Sequence, residues 1–403
     1  MSFKRIMYFL LMLCFTLLLY GCKDRTAINM NKAREKELKD VIQVKADVIE
    51  ELIINNLKNE IIGVSGWIVD YADENNIIFH NYAHLFKFNI SSKKFSCHID
   101  LPKIDADHVQ GSVVTNFFVS PDGNYVVINN GGGETDVLNR EFDVYFCNLG
   151  EGQVKVIAKK NNCKTLYCWS KDSAYFIMAA RDGENIEIYD VHTGSIENIP
   201  FGKENISNIF ITEGNNILID GKEKYLIKLS TKEIAKLPIE GILIGEKEGE
   251  IYYFNDGKIC SFNFVNSYAV ENIGEKYKLF RISGDYAVFT GEKDTKIFDK
   301  SKSKMVSYPV RISENTFYYN ASPDRSKLLV VDGNITRVYS SNGTFEEITV
   351  DGFGFYMAKW ISEEDILQVY TQNFSPVQII IVDYNVKDKK LSTIYNSEAY
   401  LLD

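Results

Sequence analysis

Apolar and polar residues alternate with a period of two from Trp67 to the end of the chain. Residues 86–90, 186–190 and 296–299 show this alternation, and a cluster of turn-forming residues follows each of them. Successive side chains of a β-strand point to opposite faces, so the pattern predicts half-buried strands. The chain beyond residue 60 is therefore expected to be all-β.

The alternating segments recur as an internal repeat of about 40 residues. Eight hairpins begin near Phe86, Val144, Ile186, Tyr225, Ile259, Lys296, Thr336 and Val377, at intervals of 34 to 58 residues. Repeats of this length with four short strands each are typical of a β-propeller, in which every blade buries its faces against its neighbours. The sequence predicts an eight-bladed β-propeller, with seven blades as the alternative if one short repeat is incomplete.

A tight turn precedes several hairpins. Residues 120–123 read Ser-Pro-Asp-Gly and residues 322–324 read Ser-Pro-Asp; proline presets the turn dihedral, and aspartate bonds its own backbone. The third repeat adds Trp-Ser at 169–170, Ile-Tyr-Asp at 188–190 and Thr-Gly at 193–194. This pattern resembles the TolB-type propeller repeat over most of residues 64–398. The resemblance implies a propeller of the kind that serves as a protein-binding platform, a sensor or a peptidase gate.

The N-terminus has the organisation of a secretory signal. Lys4 and Arg5 precede an apolar run over residues 6–19, which is shorter than the ~20 residues that span a bilayer. Residues 19–22 read Leu-Tyr-Gly-Cys and resemble the lipobox of bacterial lipoproteins. The resemblance implies that Cys22 is acylated, becomes the first residue, and holds the protein on the extracytoplasmic side of the cell membrane.

Three segments follow from these patterns. Residues 1–21 are a lipoprotein signal peptide, residues 22–60 a lipidated tether, and residues 61–403 the propeller domain. Apolar positions in the tether recur with the period of a helix, which predicts a short helix there. The abundance of Asn, Ile, Tyr and Phe and the scarcity of Pro favour an AT-rich, Gram-positive source.

The charge balance excludes one class of partner. The chain carries 45 basic and 55 acidic residues, for a net charge of −10, and removal of the signal takes away two bases and no acid. Nucleic-acid binding requires clustered positive charge, so no nucleic-acid partner is expected.

Motifs of catalysis and cofactor binding are absent from the sequence. It has no Gly-x-Ser-x-Gly, phosphate loop, His-Glu-x-x-His or EF-hand spacing, so we expect a protein that is not an enzyme and carries no cofactor. Beyond the signal and Cys22, an odd number of cysteines remains, which leaves the disulfide state open; they are Cys97, Cys147, Cys163, Cys168 and Cys260.

A candidate binding rim lies in the connections around the first, second and eighth repeats. In a propeller, the loops between second and third strands emerge on the same face as the connections between blades. Imidazoles and carboxylates could hold a divalent metal there, although solvated loops are the simpler explanation of them, and exposed aromatics often dominate binding surfaces. The predicted rim residues are His80, His84, Asp105, Asp107, His108, Glu134, Asp136, Phe353 and Phe374.

Together these features favour a monomeric, lipid-anchored propeller that acts as a binding or sensing platform for a protein or peptide at the cell envelope. Two alternatives stay open: an envelope enzyme of carbohydrate or peptide metabolism, and an accessory lipoprotein of a transporter or sensor kinase.

The lipid anchor can be tested directly. Replacing Cys22 with Ser removes the acylated thiol, so the protein should leave the membrane fraction or accumulate as unprocessed precursor. Buried acyl methylenes contribute about 0.8 kcal/mol each, and more than one chain is needed for stable attachment. The measurement is membrane fractionation with radiolabelled fatty acid, and a parent protein that incorporates no label would contradict the prediction.

Overall fold

The computed structural model describes most of the chain beyond residue 67 and two residues before it. The described residues are 42–43, 68–73, 75–80, 84–100, 115–130, 141–161, 164–203, 205–283, 285–312, 316, 318–332, 335–348, 354–372 and 378–396. The predicted signal peptide and Cys22 lie outside them.

Thirty-three strands form eight sheets, and the first four blades have consecutive bounds along the chain. Blade 1 contains β2 (Ile68–Ala72), β3 (Asn76–His80), β4 (His84–Asn89) and β5 (Lys94–Asp100), joined at its edge by β1 (Ile42–Gln43); blade 2 contains β6 (Thr115–Val119), β7 (Tyr125–Asn130), β8 (Phe142–Asn148) and β9 (Gln153–Lys160); blade 3 contains β10 (Thr165–Trp169), β11 (Tyr175–Ala180), β12 (Asn185–Asp190) and β13 (Ile196–Pro200); blade 4 contains β14 (Ile206–Ile211), β15 (Ile217–Gly221), β16 (Lys224–Ile227) and β17 (Ile234–Leu237).

The other four blades repeat the same order. Blade 5 contains β18 (Ile242–Lys247), β19 (Glu250–Asn255), β20 (Lys258–Phe262) and β21 (Ser267–Asn272); blade 6 contains β22 (Lys278–Ser283), β23 (Tyr286–Thr290), β24 (Thr295–Asp299) and β25 (Lys304–Tyr308); blade 7 contains β26 (Tyr318–Ala321), β27 (Lys327–Asp332), β28 (Ile335–Ser340) and β29 (Phe345–Ile348); blade 8 contains β30 (Gly354–Trp360), β31 (Asp365–Gln372), β32 (Gln378–Asn385) and β33 (Lys390–Asn396).

The meander order gives the ring two distinct faces. Within each blade the four strands are antiparallel and follow one another, and contacts between the first strands of successive blades place those strands around the central axis. The turns from first to second strand (the inner turns) and from third to fourth strand (the outer turns) therefore emerge on one side, which we call the turn face. The other connections emerge on the opposite side, the loop face.

Eight apolar clusters hold the ring together, one in each gap between neighbouring blades. The cluster between blades 3 and 4, for example, joins Ile177, Ile188 and Phe201 with Ile217 and Ile227. The alternating pattern of the sequence explains these clusters, because each sheet buries both faces and supplies every second side chain to each neighbour.

Within the described residues, the ring closes through side-chain packing, and no strand is shared between blades 1 and 8. Blades 1 and 8 are each built from consecutive strands, and β2 and β30 lie side by side where the chain's two ends meet. Across this seam, Phe88 and Phe95 of blade 1 meet Tyr395 of blade 8, with ring centroids 5.4–5.5 Å apart and edge-on geometry. Edge-to-face aromatic pairs add about 0.5–1.5 kcal/mol beyond the area that they bury.

The prediction of an eight-bladed, all-β propeller is confirmed, and all eight hairpins found in the sequence coincide with third and fourth strands. Within the described ranges there is no α-helix. The tether's predicted helix lies outside them apart from Ile42–Gln43, which are extended and pair with Ile99 and His98 of β5.

The seam gives a prediction for stability. Phe88 is fully buried between blades 1 and 8, so Phe88→Ala should lower the free energy of unfolding by about 3–5 kcal/mol. Phe345→Ala is the matched control, because this side chain is 56% exposed on β29 and its removal should change stability far less. Urea denaturation measures both variants, and equal losses would contradict closure of the ring through the seam.

Candidate binding site at the turn face

Only part of the predicted rim falls within the described residues. His80 ends β3, is half-buried, and its ring lies 4.0 Å from that of Phe117, centroid to centroid, while His84 begins β4. The other seven rim residues lie outside the described part of the chain: Asp105, Asp107, His108, Glu134, Asp136, Phe353 and Phe374. Whether these side chains converge on one rim stays a prediction.

Three inner turns are built from a Ser-x-Asp motif that satisfies its own polar groups. In blade 2, the Ser120 hydroxyl donates to Asp122 Oδ1 over 2.6 Å, and the Tyr125 N–H donates to Ser120 Oγ over 2.9 Å. Blades 3 and 7 repeat both bonds with Ser170 and Ser322. The three aspartates therefore have structural roles in their turns.

Hydrogen bonding decides the charge state of these aspartates. Partial burial of Asp122 acts to raise its pKa, but hydrogen bonds from the Ser120 hydroxyl and from Asn124 outweigh burial, and the pKa is lowered. The pKa values of Asp172 and Asp324 are lowered in the same way. All three are anionic at neutral pH, so the inner turns are a source of fixed negative charge.

Charged side chains from four blades meet where the inner turns surround the axis. Lys171 of blade 3 places its Nζ 3.3 Å from Glu213 Oε1 of blade 4 and 3.5 Å from Asp285 Oδ1 of blade 6. Glu213 Oε1 also lies 2.6 Å from Lys247 Nζ of blade 5. The axial cluster, as we call it, consists of Lys171, Glu213, Glu246, Lys247 and Asp285.

The contact between Lys171 and Asp285 locates this cluster. The two residues are 114 positions apart and belong to blades that are not neighbours, so their side chains meet across the mouth of the central channel. Backbone groups reinforce the arrangement, because the N–H of Glu213 donates to Glu246 Oε2 over 2.8 Å and that of Glu248 donates to Glu213 Oε2 over 3.1 Å.

Glu213 is the centre of the network. Hydrogen bonds from Lys247 and from the Glu248 N–H, with a further contribution from Lys171, lower its pKa to about 2. The carboxylate is therefore charged throughout the physiological range. Because Glu213 lies at the surface, its ion pairs fix the positions of the side chains more than they stabilise the fold.

A buried lysine lies beneath the cluster, between blades 5 and 6. Lys300 is 4% exposed, and its Nζ donates to the Ile244 carbonyl over 3.3 Å. Burial lowers its pKa to about 8; Asp285 acts in the opposite direction, and Lys171 adds to the lowering. A Cβ at Gly245 would lie 2.8 Å from this amine, and Gly245 has a φ of +135°, so glycine makes room for the lysine.

Neighbouring inner turns also bond to each other. Asn215 of blade 4 donates to Asp172 Oδ2 of blade 3 over 2.7 Å, and the Asp122 N–H of blade 2 donates to Ser173 Oγ of blade 3 over 3.2 Å. These contacts tie the turns into one rigid surface. Exposed groups held in this way can recognise a partner without first being ordered, which reduces the entropy lost on binding.

The arrangement is suited to recognition. Both signs of charge are presented at the mouth, and among the described residues no group of three or more His, Cys, Asp and Glu side chains could hold a metal ion. A shallow groove of about 1040 Å³ lies farther out between blades 2 and 3, lined in part by Tyr125, Lys155 and His192. It is a second recess on the turn face.

The cysteines of the described chain are free thiols. Cys97 and Cys147 are buried, and Cys168 and Cys260 are half-buried. Burial raises the pKa of Cys97 to about 12, with the nearby Lys87 acting in the opposite direction, so this thiol is neutral and unreactive. Cys163 lies outside the described residues.

Sequence reasoning missed the axial cluster because it sought chemistry in long loops. The signal was nonetheless present: Lys171 and Glu213 occupy the first turn of successive repeats, where blades 2 and 7 have Pro121 and Pro323. Aligning the repeats by this turn, rather than by the hairpin, would have placed opposite charges around one axis.

Comparison with known proteins shows no family for this chain. No protein-family model matches the chain, and no curated protein matches its sequence. The structure is similar to Kluyveromyces lactis Hsv2, at 16% identity and a TM-score of 0.41 over 70% of this chain and 98% of that one. It is also similar to a prolyl endopeptidase, at 11% identity and a TM-score of 0.46 over 93% of this chain and 56% of that one. A third similar structure is PorZ, a surface component of the type-IX secretion system of Porphyromonas gingivalis, at 12% identity and a TM-score of 0.47 over 83% of this chain and 46% of that one.

A search for membrane-spanning helices found none in the part of the chain that the structure describes.

Lys300 provides a test of the electrostatics under the cluster. Its folded pKa of about 8 lies below the ordinary 10.5, so between these values the unfolded chain binds more protons and stability should rise with pH. At about 1.4 kcal/mol per pKa unit, the buried charge disfavours the folded state by about 3 kcal/mol at neutral pH. Lys300→Met should therefore be more stable than the parent at pH 7.

The comparison is made by urea denaturation from pH 7 to pH 10.5. The advantage of Lys300→Met over the parent should shrink as the parent's amine loses its proton. Lys302→Met is the control, because that side chain is 53% exposed and the variant should follow the parent at every pH. An advantage that does not change with pH would show that the amine is not the titrating group.

Proposed function

We propose that this protein is a lipid-anchored, extracytoplasmic β-propeller that binds a protein or peptide partner at the cell envelope through the turn face. One observation supports this most strongly: the axial cluster brings exposed and half-buried charges of both signs from four blades to one mouth. Such a convergence needs the complete ring, and exposed charges add little to folding, so binding is a better reason for them.

The cluster also defines the partner's chemistry. Glu213 and Asp285 flank Lys171, and Lys247 lies on the far side of Glu213. A segment with both basic and acidic side chains can exchange these internal ion pairs for intermolecular ones. Electrostatic complementarity of this kind fixes register and speeds association more than it increases affinity.

A platform role also accommodates the accessory-lipoprotein alternative, since a transporter or sensor kinase would be one such partner. An enzyme of carbohydrate or peptide metabolism requires positioned acid, base or nucleophilic groups at a recess. The axial cluster consists of mutually paired lysines and carboxylates, which favours binding over turnover.

Site-specific photocrosslinking in native membranes tests the proposal. A photoreactive residue at Glu248, an exposed inner-turn position beside Glu213, should give a discrete crosslinked product. Charge reversal by Glu213→Lys should reduce that product about tenfold, since loss of a charge-assisted pair contributes about 1.4 kcal/mol or more at an interface. The readout is the crosslinked band on an immunoblot.

The matched control position is Lys222, an exposed residue on the loop face of blade 4. It should give no such product. The same product from both positions, or a product at position 248 that Glu213→Lys leaves unchanged, would contradict binding at the axial cluster. The crosslinked partner's identity then separates the transporter and kinase alternatives.

A further inference from the structure

The outer turns carry positive charge in a chain that is acidic overall. Including the first residue of each fourth strand, these turns span residues 90–94, 149–153, 191–196, 228–234, 263–267, 300–304, 341–345 and 386–390. They contain ten lysines against three acidic residues, although the whole chain has a net charge of −10. The lysines are Lys93, Lys94, Lys228, Lys232, Lys300, Lys302, Lys304, Lys387, Lys389 and Lys390.

Most of these lysines are exposed, although four of them also pair with carboxylates of the protein: Lys228 with Glu233, Lys302 with Asp299, Lys387 with Glu364 and Lys389 with Glu346. Ion pairs of exposed lysines are weak and can be exchanged for pairs with lipid headgroups. All but Lys232 and Lys300 are exposed, and Lys387 and Lys389 are each 71% exposed. The loop face differs: its second-to-third turns in blades 3 to 6 hold three basic and six acidic residues. Positive charge is therefore concentrated on the outer rim of the turn face.

Exposed apolar side chains lie on the same rim. Of the eight large hydrophobic residues that are exposed in the described chain, seven belong to outer turns or fourth strands; Ile242 is the exception. The seven are Val156, Ile196, Phe264, Val265, Tyr268, Phe345 and Leu391. They are spread over blades 2, 3, 5, 7 and 8, which suits a broad planar contact better than a compact protein partner.

The outer turn of blade 5 projects the most apolar of these tips. Val265 is 79% exposed and Phe264 is 49% exposed. Phe264 also has a φ of +67°, a conformation unfavourable for a bulky residue, and the side chain of Asn263 stabilises the turn by accepting bonds from the N–H groups of Val265 and Asn266. The Phe264 ring lies 5.6 Å from that of Phe262, centroid to centroid, but glycine would suit this backbone better and half of Phe264 is exposed, so packing accounts for only part of the ring.

We propose that the outer turns dock the turn face against an anionic lipid bilayer, with Phe264 and Val265 inserted among the headgroups. Lysines interleaved with apolar side chains are the composition that binds such surfaces, and each lysine near an anionic membrane contributes about 1 kcal/mol. The inference rests on the proposed lipid anchor, which keeps the protein at a membrane, and adds the orientation in which it lies there. The axial cluster then faces the bilayer, so the protein or peptide that we propose binds it is a component of the membrane.

The acidic inner turns are compatible with this orientation. An inner turn and an outer turn of one blade are separated by two strand spacings of about 4.8 Å each, or about 10 Å. That distance is comparable to the screening length at physiological salt. The outer lysines therefore act on the lipid surface while Asp122, Asp172 and Asp324 are held in their own turns.

The tether is long enough for this arrangement. Twenty residues separate Cys22 from Ile42, where β1 joins the edge of blade 1, and an extended chain of that length spans up to about 70 Å. This reach covers either face of the ring, so the direction of docking depends on the surface of the propeller itself.

Quenching of tryptophan fluorescence by brominated lipids tests the orientation with the lipidated, full-length mature protein in vesicles. Val265→Trp places a reporter on the proposed contact, and Lys222→Trp places one on the loop face of the neighbouring blade. In vesicles of anionic phospholipid, the fluorescence of the tryptophan introduced at position 265 should be quenched about twofold or more. The tryptophan introduced at position 222 should be no more quenched than in vesicles without brominated lipid. Equal quenching at both positions would overturn the proposal.

Charge variants test the contribution of the lysines to the contact with the bilayer. Lys304→Gln combined with Lys390→Gln should reduce quenching at position 265, and Lys222→Gln combined with Lys293→Gln should not. Neutral vesicles or high salt should also reduce it, since the attraction is screened. Quenching that is the same in neutral and anionic vesicles would overturn the role of the lysines.

Phe264→Gly separates docking from folding. It removes the inserted ring and relieves the backbone at a positive φ, so the free energy of unfolding should stay the same or rise while quenching at position 265 falls. A variant that unfolds would show that Phe264 is a packing residue, and unchanged quenching would show that it does not enter the bilayer. In either result the protein can remain attached through Cys22, so failure of the orientation is distinguishable from failure of the anchor.

Discussion

Closure of the ring depends on the aromatic contact between the first and last blades. Other neighbouring blades follow one another along the chain, whereas blades 1 and 8 are the first and the last repeat, and no strands of the described residues pair between them. Burial of Phe88, Phe95 and Tyr395 must therefore offset the entropy lost when the ends are brought together, which increases slowly with chain length. Every feature that needs turns from several blades around the axis therefore depends on this seam.

The axial cluster is one such consequence. Lys171 and Asp285 come from blades 3 and 6, and only a closed ring of defined diameter brings them within 3.5 Å. The same circle separates inner turns, which are rich in carboxylates, from outer turns, which are rich in lysine. One meander repeated eight times thus produces two concentric zones of opposite charge on a single face.

The sequence was sufficient for the architecture because a repeated pattern reports the same structure many times. Alternation in residues 86–90 alone predicts a strand, whereas eight copies at similar spacing predict a blade count. The candidate site was harder, since Lys171 and Glu213 are ordinary surface residues when read singly. Their role depends on which blades face each other across the axis. That in turn depends on the radius of the ring, which the local periodicity of the sequence does not predict.

Some exposed residues of the turn face have a role in the fold, and others do not. Asp122 bonds to its own turn, so its presence is accounted for by local structure. Phe264 has the opposite character, because its backbone is unfavourable and half of its side chain is exposed. A half-exposed aromatic residue with an unfavourable backbone, on a rim where lysines outnumber acids in an acidic protein, is best explained by a surface outside the molecule. Structural and functional residues of a repeat protein can therefore be separated by asking which of them the repeat itself requires.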